Sequence, residues 1–142
     1  MKNLLTVLTL LILGISCSVE PTEINYGKDG CHFCKMTIVD NQHAAQIVTA
    51  KGKAYKYDAI ECMINDLKQR NEADIALFLI NDYSEPGKLI PARTAVYLIS
   101  PEIPSPMGAF LSGFSSEEKA ATVKAEHGGT LYNWASVKKE VE

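Results

Sequence analysis

The chain carries one short pattern twice: an aromatic residue, a helix-capping residue, and a glutamate three positions after the cap. The two copies are Tyr57-Asp58 with Glu61, and Phe114-Ser115 with Glu118. A cap followed by glutamate at this spacing is typical of the first turn of a helix. The first copy is followed by apolar residues at helical spacing, namely Ile60, Met63, Ile64 and Leu67. Each copy therefore predicts one helix.

Runs of β-branched or apolar residues flank each predicted helix and indicate strands. They are 36–40, 45–50, 54–57 and 76–80 around the first helix, and 94–99, 109–114 and 130–134 around the second. This order predicts an α+β fold of two tandem ββαβ units with short antiparallel sheets. We assign the units to 26–80 and 94–135. The Pro- and Gly-bearing segment 81–93 is predicted to be a linker, and 136–142 a charged tail that frays.

Residues 1–16 are predicted to be a lipoprotein signal peptide. Lys2 supplies a positive charge, and the apolar run 4–13 is too short to span a bilayer well. The run ends in Gly14-Ile15-Ser16-Cys17, which is similar to a bacterial lipobox. We expect Cys17 to be lipidated and 17–25 to form a polar tether, with an ordinary signal peptide and a chance cysteine as the alternative. The lipidated chain would be anchored in the bacterial cell envelope and face the periplasm.

Charge and motif content exclude two large functional classes. The formal net charge is −3 and the sequence has no basic run, so we expect no nucleic-acid partner. The sequence has no G-x-S-x-G motif and no convincing Cys–His pairing, so hydrolase chemistry lacks support. After the leader, no apolar run is long enough for a second membrane span.

The segment Cys31-His32-Phe33-Cys34-Lys35-Met36 concentrates metal-binding side chains. Thiolates and thioethers are soft donors that select Cu(I), and zinc sites seldom include methionine. We therefore predict Cys31 and Cys34 as ligands of Cu(I), and Met36 as either a ligand or a core residue. A disulfide between Cys31 and Cys34, with Cys62 buried as a small apolar residue, is the alternative in an exported protein. The sulfur of Cys17 would be acylated and is not counted as a ligand.

Three further residues are candidate ligands. Cys62 points away from the apolar stripe of its helix and could face the site or another element. Met107 lies in the turn sequence Pro106-Met107-Gly108, where no apolar stripe includes it. His127 ends the second helix, where it could bind a metal or instead bond the last helical carbonyls.

Four short motifs, taken in order, resemble the NosL family of lipoprotein copper chaperones for nitrous oxide reductase. They are the C-x-x-C-x-M segment and the segments 57–63, 106–108 and 127–129, and the resemblance covers roughly 26–134. It implies a pair of ββαβ units that bind Cu(I) in the periplasm, hand it on and are not enzymes. Lys35 departs from the family pattern, which usually has glycine there. Asp58-Ala59 and Glu61-Cys62 replace the paired aspartates and the glycine that are common around the second cysteine.

Two other functions use the same residues. A thiol–disulfide redox protein would use Cys31 and Cys34, but such motifs open a helix, whereas a strand is predicted here. A structural zinc module could combine Cys31, Cys34, Cys62 and His127, but it leaves the methionines unexplained. We therefore expect a periplasm-facing lipoprotein that delivers Cu(I) to a copper-dependent periplasmic enzyme. By resemblance that enzyme is nitrous oxide reductase, together with its maturation machinery.

Overall fold

The computed structural model describes residues 18–141, so the predicted signal peptide and Cys17 lie outside the described residues. The strands are β1 (Ala45–Thr49), β2 (Ala54–Tyr57), β3 (Ile75–Asp82), β4 (Glu85–Pro91), β5 (Val96–Ile99), β6 (Leu111–Phe114) and β7 (Thr130–Tyr132). The helices are α1 (Ile60–Leu67), α2 (Glu117–His127) and α3 (Trp134–Glu140), with short 3₁₀ turns at Glu72–Asp74 and Ala92–Thr94. Within 18–141, no helix is long and apolar enough to cross a bilayer.

Each sheet is built around the first strand of its unit. β1 lies between β2 and β3 in a sheet of order β2-β1-β3-β4, and β5 lies between β6 and β7 in a sheet of order β6-β5-β7. All of these pairs are antiparallel. In both sheets the helix connects the hairpin to the third strand. The predicted α+β fold of two ββαβ units is therefore confirmed.

The two units share an apolar core, and a glycine allows their close approach. A Cβ on Gly113 of β6 would lie 2.2 Å from Ile80 Cδ1 of β3 and 3.3 Å from Ile60 Cδ1 of α1. Trp134 of the second unit stacks edge-on against Phe78 of the first, with ring centroids 6.2 Å apart. Dense packing of this kind transmits small displacements. Through Gly113, the second unit therefore packs directly against α1.

The segment 81–93 is not a linker. β3 continues through Asp82, and β4 pairs back onto it with Ile80 opposite Ile90 and Asn81 opposite Leu89. Pro86 and Pro91 fit because β4 is an edge strand, where a missing N–H costs no ladder bond on the open side. The Pro and Gly content of 81–93 indicated a linker, although the segment contains the fourth strand of the first sheet.

The predicted strand 36–40 is also wrong. Its only ladder contact in the described chain is an isolated bridge between Gly30 and Thr37. The backbone instead closes a loop on itself, since the Ile38 N–H donates to the Asp29 carbonyl at 2.9 Å. The β-branched residues of this segment support that loop rather than a sheet.

Both ends of the described chain pack against the fold, whereas the sequence predicted a tether at one end and a frayed tail at the other. Within the predicted tether 17–25, Thr22 exchanges hydrogen bonds with the Gln46 amide and Ile24 is buried. Within the predicted frayed tail 136–142, α3 continues to Glu140 and Val137 is fully buried. Apolar side chains dock both segments against the first sheet and the shared core.

The helix caps differ in detail from the sequence pattern. α1 has Ala59 at its N-cap, one residue after the predicted Asp58, and alanine has no side-chain acceptor to cap the helix; Glu61 bonds to Ser105 instead. α2 is capped by Ser116, one residue after the predicted Ser115, and the Ser116 hydroxyl accepts the Lys119 N–H. The two predicted helices therefore form, and of these two only α2 has a side-chain cap; α3, which was not predicted, is capped by Asn133, whose side chain accepts the Ser136 N–H.

Candidate metal centre

Three thiols meet in the first unit. Cys31, Cys34 and Cys62 are free, and their sulfur atoms all lie within 4.8 Å of one another. Cys31 and Cys62 are buried, at 2% and 1% exposed, whereas Cys34 is partly exposed. Three soft donors this close suit a single soft cation. Of the three thiols, Cys34 is therefore the one most accessible to solvent.

A tight turn positions the two cysteines of the motif. The Cys31 N–H donates to the Met36 carbonyl at 2.8 Å, and the Lys35 N–H donates to the Cys31 carbonyl at 3.1 Å. The Cys34 N–H points at Cys31 Sγ at 3.5 Å. Lys35 has a φ of 67°, a left-handed conformation that glycine adopts without strain. The family pattern usually has glycine at position 35, and the backbone at that position has the left-handed conformation.

Cys62 reaches the motif because β2 leads directly into α1. Its N–H donates to the Ala59 carbonyl at 3.1 Å, in the first turn of the helix. The motif is fastened to the end of β2, since the His32 N–H donates to the Lys56 carbonyl at 2.8 Å. One backbone hydrogen bond therefore brings the motif turn to the start of the helix that carries Cys62.

The three sulfurs differ in acidity, and only Cys31 has a lowered pKa. The Cys62 thiol donates a hydrogen bond to Cys31, which lowers the Cys31 pKa to about 4; the backbone N–H groups of Asp58 and Cys34 add to this against the effect of burial. The pKa of Cys62 is raised, because Cys62 keeps its proton to donate the hydrogen bond to Cys31 and because it is buried. Burial also raises the pKa of Cys34. An incoming cation would therefore meet one negative charge and displace protons from the other two sulfurs.

Glu61 fastens a second loop beside Cys62. Its Oε1 accepts a hydrogen bond from Ser105 Oγ at 2.5 Å and a longer one from the Ala109 N–H at 3.4 Å. Between these two residues lies the turn at Met107, closed by the Gly108 N–H donating to the Ser105 carbonyl at 3.0 Å. Met107 therefore stands on a turn that is anchored one residue away from Cys62.

The two candidate thioethers are exposed. Met36 is 54% exposed in the motif turn, and Met107 is 44% exposed on its own turn, so neither is a core residue. Met63, by contrast, is fully buried on the inner face of α1, as its place in the apolar stripe predicts. Met36 therefore lies exposed two residues after Cys34, and Met107 lies exposed on the turn that Glu61 anchors.

His127 does not join the thiol cluster. Its Nδ1 lies 3.6 Å from a Glu102 carboxylate oxygen, and its carbonyl accepts a hydrogen bond from Ser100 Oγ at 2.8 Å. Among the His, Cys, Asp and Glu side chains of 18–141, only the three cysteines form a metal-sized group. The structure places His127 at the end of α2 in the second unit, paired with acidic residues.

Sequence reasoning missed two buried carboxylates next to the thiols. Asp58 and Glu61 are buried, and in the described chain Asp58 Oδ1 and Glu61 Oε2 have no hydrogen-bond partner. The pKa of Asp58 is raised, mainly because the side chain is buried and also because of the negative charge of Cys31. The sequence pattern assigned both residues to a helix cap, and no local signal shows that Glu61 reaches a loop 44 positions away.

A chain of polar groups joins the two units on another face. Asp40 Oδ2 lies 2.9 Å from His43 Nδ1, and His43 Nε2 lies 3.1 Å from Ser112 Oγ. The order of groups resembles an acid, base and nucleophile, but Ser112 is fully buried within β6. A hydroxyl that no substrate reaches has a structural role, so this chain stabilises the contact between the units.

Comparisons with known proteins agree with this architecture. Residues 21–142 match the family model of NosL. The chain is 27% identical over 128 residues to the copper-binding lipoprotein NosL of Stutzerimonas stutzeri, covering 84% of this chain and 67% of that protein. Its fold is similar to that of the copper chaperone NosL from Shewanella denitrificans, with a TM-score of 0.72 and 20% identity over 83% of this chain and 95% of that one.

Proposed function

The chain belongs to the NosL family, and from this premise we propose that it is an envelope lipoprotein that binds Cu(I) and hands it to a copper protein. It is not an enzyme. By resemblance, the recipient is nitrous oxide reductase, reached through its maturation machinery in the periplasm. Cys17 carries the lipid that anchors the chain, and copper is the cargo.

The observation that carries this proposal is the group of three sulfurs within 4.8 Å of one another. Cu(I) is a soft cation that accepts few ligands, whereas structural zinc is held by four donors, almost always cysteine, histidine or carboxylate. No histidine or carboxylate of 18–141 joins the three thiols. The donor set therefore favours Cu(I) over a closed zinc site.

The loops around the thiols favour transfer by ligand exchange. The partly exposed Cys34 lies on the accessible side, and the exposed thioethers of Met36 and Met107 offer weaker donors at the surface. Cu(I) would move from the buried thiolates to a thioether and then to a donor of the recipient. A thioether binds no proton at physiological pH, so it remains a donor when acid weakens thiolate binding.

A thiol–disulfide redox function has one observation in its favour, the Cys31 pKa of about 4. Reactive cysteines of that kind are solvent-accessible. Cys31 is 2% exposed, and its motif closes a turn rather than opening a helix. Burial of the thiolate therefore favours metal binding over disulfide exchange.

Anaerobic competition against a Cu(I) chelator tests the proposal, with Zn(II) competition as the parallel measurement. We expect the chain without its leader to retain Cu(I) far more strongly than Zn(II). Replacing Cys31 or Cys62 by serine should abolish this retention, whereas Cys17→Ala, the matched control, should leave it unchanged. Stronger retention of Zn(II) would identify a zinc module instead.

A further inference from the structure

The segment that follows Cys17 is docked along the first sheet rather than extended away from it. The Thr22 N–H donates to the Gln46 amide oxygen at 2.9 Å, and the Gln46 amide returns a bond to the Thr22 carbonyl at 2.8 Å. Ile24 is buried in the core. At the other end of the segment, the Ser18 carbonyl lies 3.5 Å from where a Cβ on Gly52 would be. The first described residue therefore lies beside the β1–β2 turn.

Because the segment after Cys17 packs on the domain, little free chain separates the lipid anchor from the fold. A lipid on Cys17 would be one residue from Ser18, and Ser18 lies against the turn at 50–53. We propose that this turn is a membrane-facing surface whose partner is the lipid bilayer, and that the thiol cluster faces away from the membrane. The inference rests on the lipid anchor of the proposed function.

The turn and the metal centre lie at opposite ends of the hairpin. β2 runs from the turn to Tyr57, where the chain enters α1 and its Cys62. Extended chain rises about 3.3 Å per residue, so β2 from Ala54 to Tyr57 spans roughly 10 Å. The Met107 turn is fastened to the same end of α1 by Glu61. Both site loops therefore stand farther from the anchor than the turn does.

Two lysines of the turn are available to anionic lipid headgroups. Lys51 and Lys53 are exposed, and neither forms an ion pair within the described part of the chain. Asp74, which borders the same hollow, and Glu20, on the docked segment, oppose them. Lysines within a Debye length of anionic headgroups are attracted to them. The anchor sets the orientation, and the two lysines reinforce it.

Paramagnetic broadening by a spin-labelled headgroup tests the orientation. The lipidated mature chain, which begins at Cys17, is placed in nanodiscs, and the amide signals of Gly52 and Gly108 are compared. These reporters are matched, because both are turn glycines with φ near +80°. We expect Gly52 to broaden at least several-fold more than Gly108. Equal broadening, or stronger broadening at Gly108, would overturn the orientation.

Two controls separate the parts of the proposal. The double variant Lys51→Gln/Lys53→Gln should lose the dependence of Gly52 broadening on anionic lipid, whereas Lys88→Gln/Lys124→Gln should keep it. Retention of that dependence in the first variant would overturn the role of the lysines. Absence of the chain from the disc fraction would overturn the anchor together with the orientation. Copper binding, measured on the same samples, reports separately on the metal function.

Discussion

Glu61 on α1 accepts a hydrogen bond from Ser105 Oγ at 2.5 Å, and this contact joins the helix that carries Cys62 to the turn that carries Met107. Both partners are buried, and the carboxylate has a second oxygen without a partner in the described chain. Burying such an oxygen is costly. The cost is consistent with a contact that holds two parts of a metal centre in place.

Glu61→Ala should therefore loosen the Met107 turn as well as destabilise the fold. Removing one partner of a buried hydrogen bond costs about 1–3 kcal/mol, which chemical unfolding of the metal-free chain measures. Cu(I) affinity should fall by roughly tenfold, the scale of perturbing groups that orient metal ligands. Ser105→Ala is the matched variant. If Glu61→Ala changed stability but not Cu(I) affinity, the contact would serve the fold alone.

Met107→Leu should weaken Cu(I) binding by about tenfold and leave metal-free stability nearly unchanged, because the side chain is exposed. Met63→Leu is the control, since that methionine is fully buried in the same region. A volume-conserving core exchange usually costs less than about 1.5 kcal/mol, and it should leave copper affinity intact. Equal Cu(I) affinity of wild type and Met107→Leu would remove Met107 from the site.

Lys35→Gly should be more stable than Lys35→Ala by about 1 kcal/mol. Lys35 has a φ of 67°, and only glycine adopts that conformation without the clash of a Cβ. Both variants lose the Lys35 side chain, so the comparison isolates the backbone strain. Thermal unfolding of the two reduced, metal-free chains provides the measurement, and an alanine variant as stable as the glycine variant would contradict the strain.

The stability of the reduced, metal-free chain should rise with pH between about 4 and the ordinary thiol range. Cys31 has its pKa lowered to about 4 in the fold, so between these limits the unfolded chain binds the extra proton. Above the ordinary thiol range the sign reverses, because the pKa values of Cys34 and Cys62 are raised. Denaturant titrations across pH would show this maximum. Cys31→Ser should remove the rising part, and an unchanged slope would argue against a thiolate at Cys31.

The strongest local patterns in the sequence identified α1 and α2, but neither α3 nor the contacts between distant segments. The stripe at Ile60 and Met63 predicted two residues of the core, although α1 is buried on its other sides as well. β4 was not predicted, because Pro86 and Pro91 are tolerated only at a sheet edge. The C-x-x-C spacing indicated a metal site, but the convergence of Cys62 depends on how β2 enters α1. Glu61 matched a capping pattern and instead bonds to the Ser105 loop, a tertiary contact that no local signal reveals.

The most direct test of the metal centre is X-ray absorption at the copper edge of the Cu(I)-loaded chain. The account predicts a low-coordinate shell made of sulfur, with the three thiols as its main donors. It also predicts that Cys62→Ser removes one sulfur from that shell. A four-coordinate shell dominated by nitrogen or oxygen, or a shell unchanged by Cys62→Ser, would contradict a Cu(I) site built from Cys31, Cys34 and Cys62.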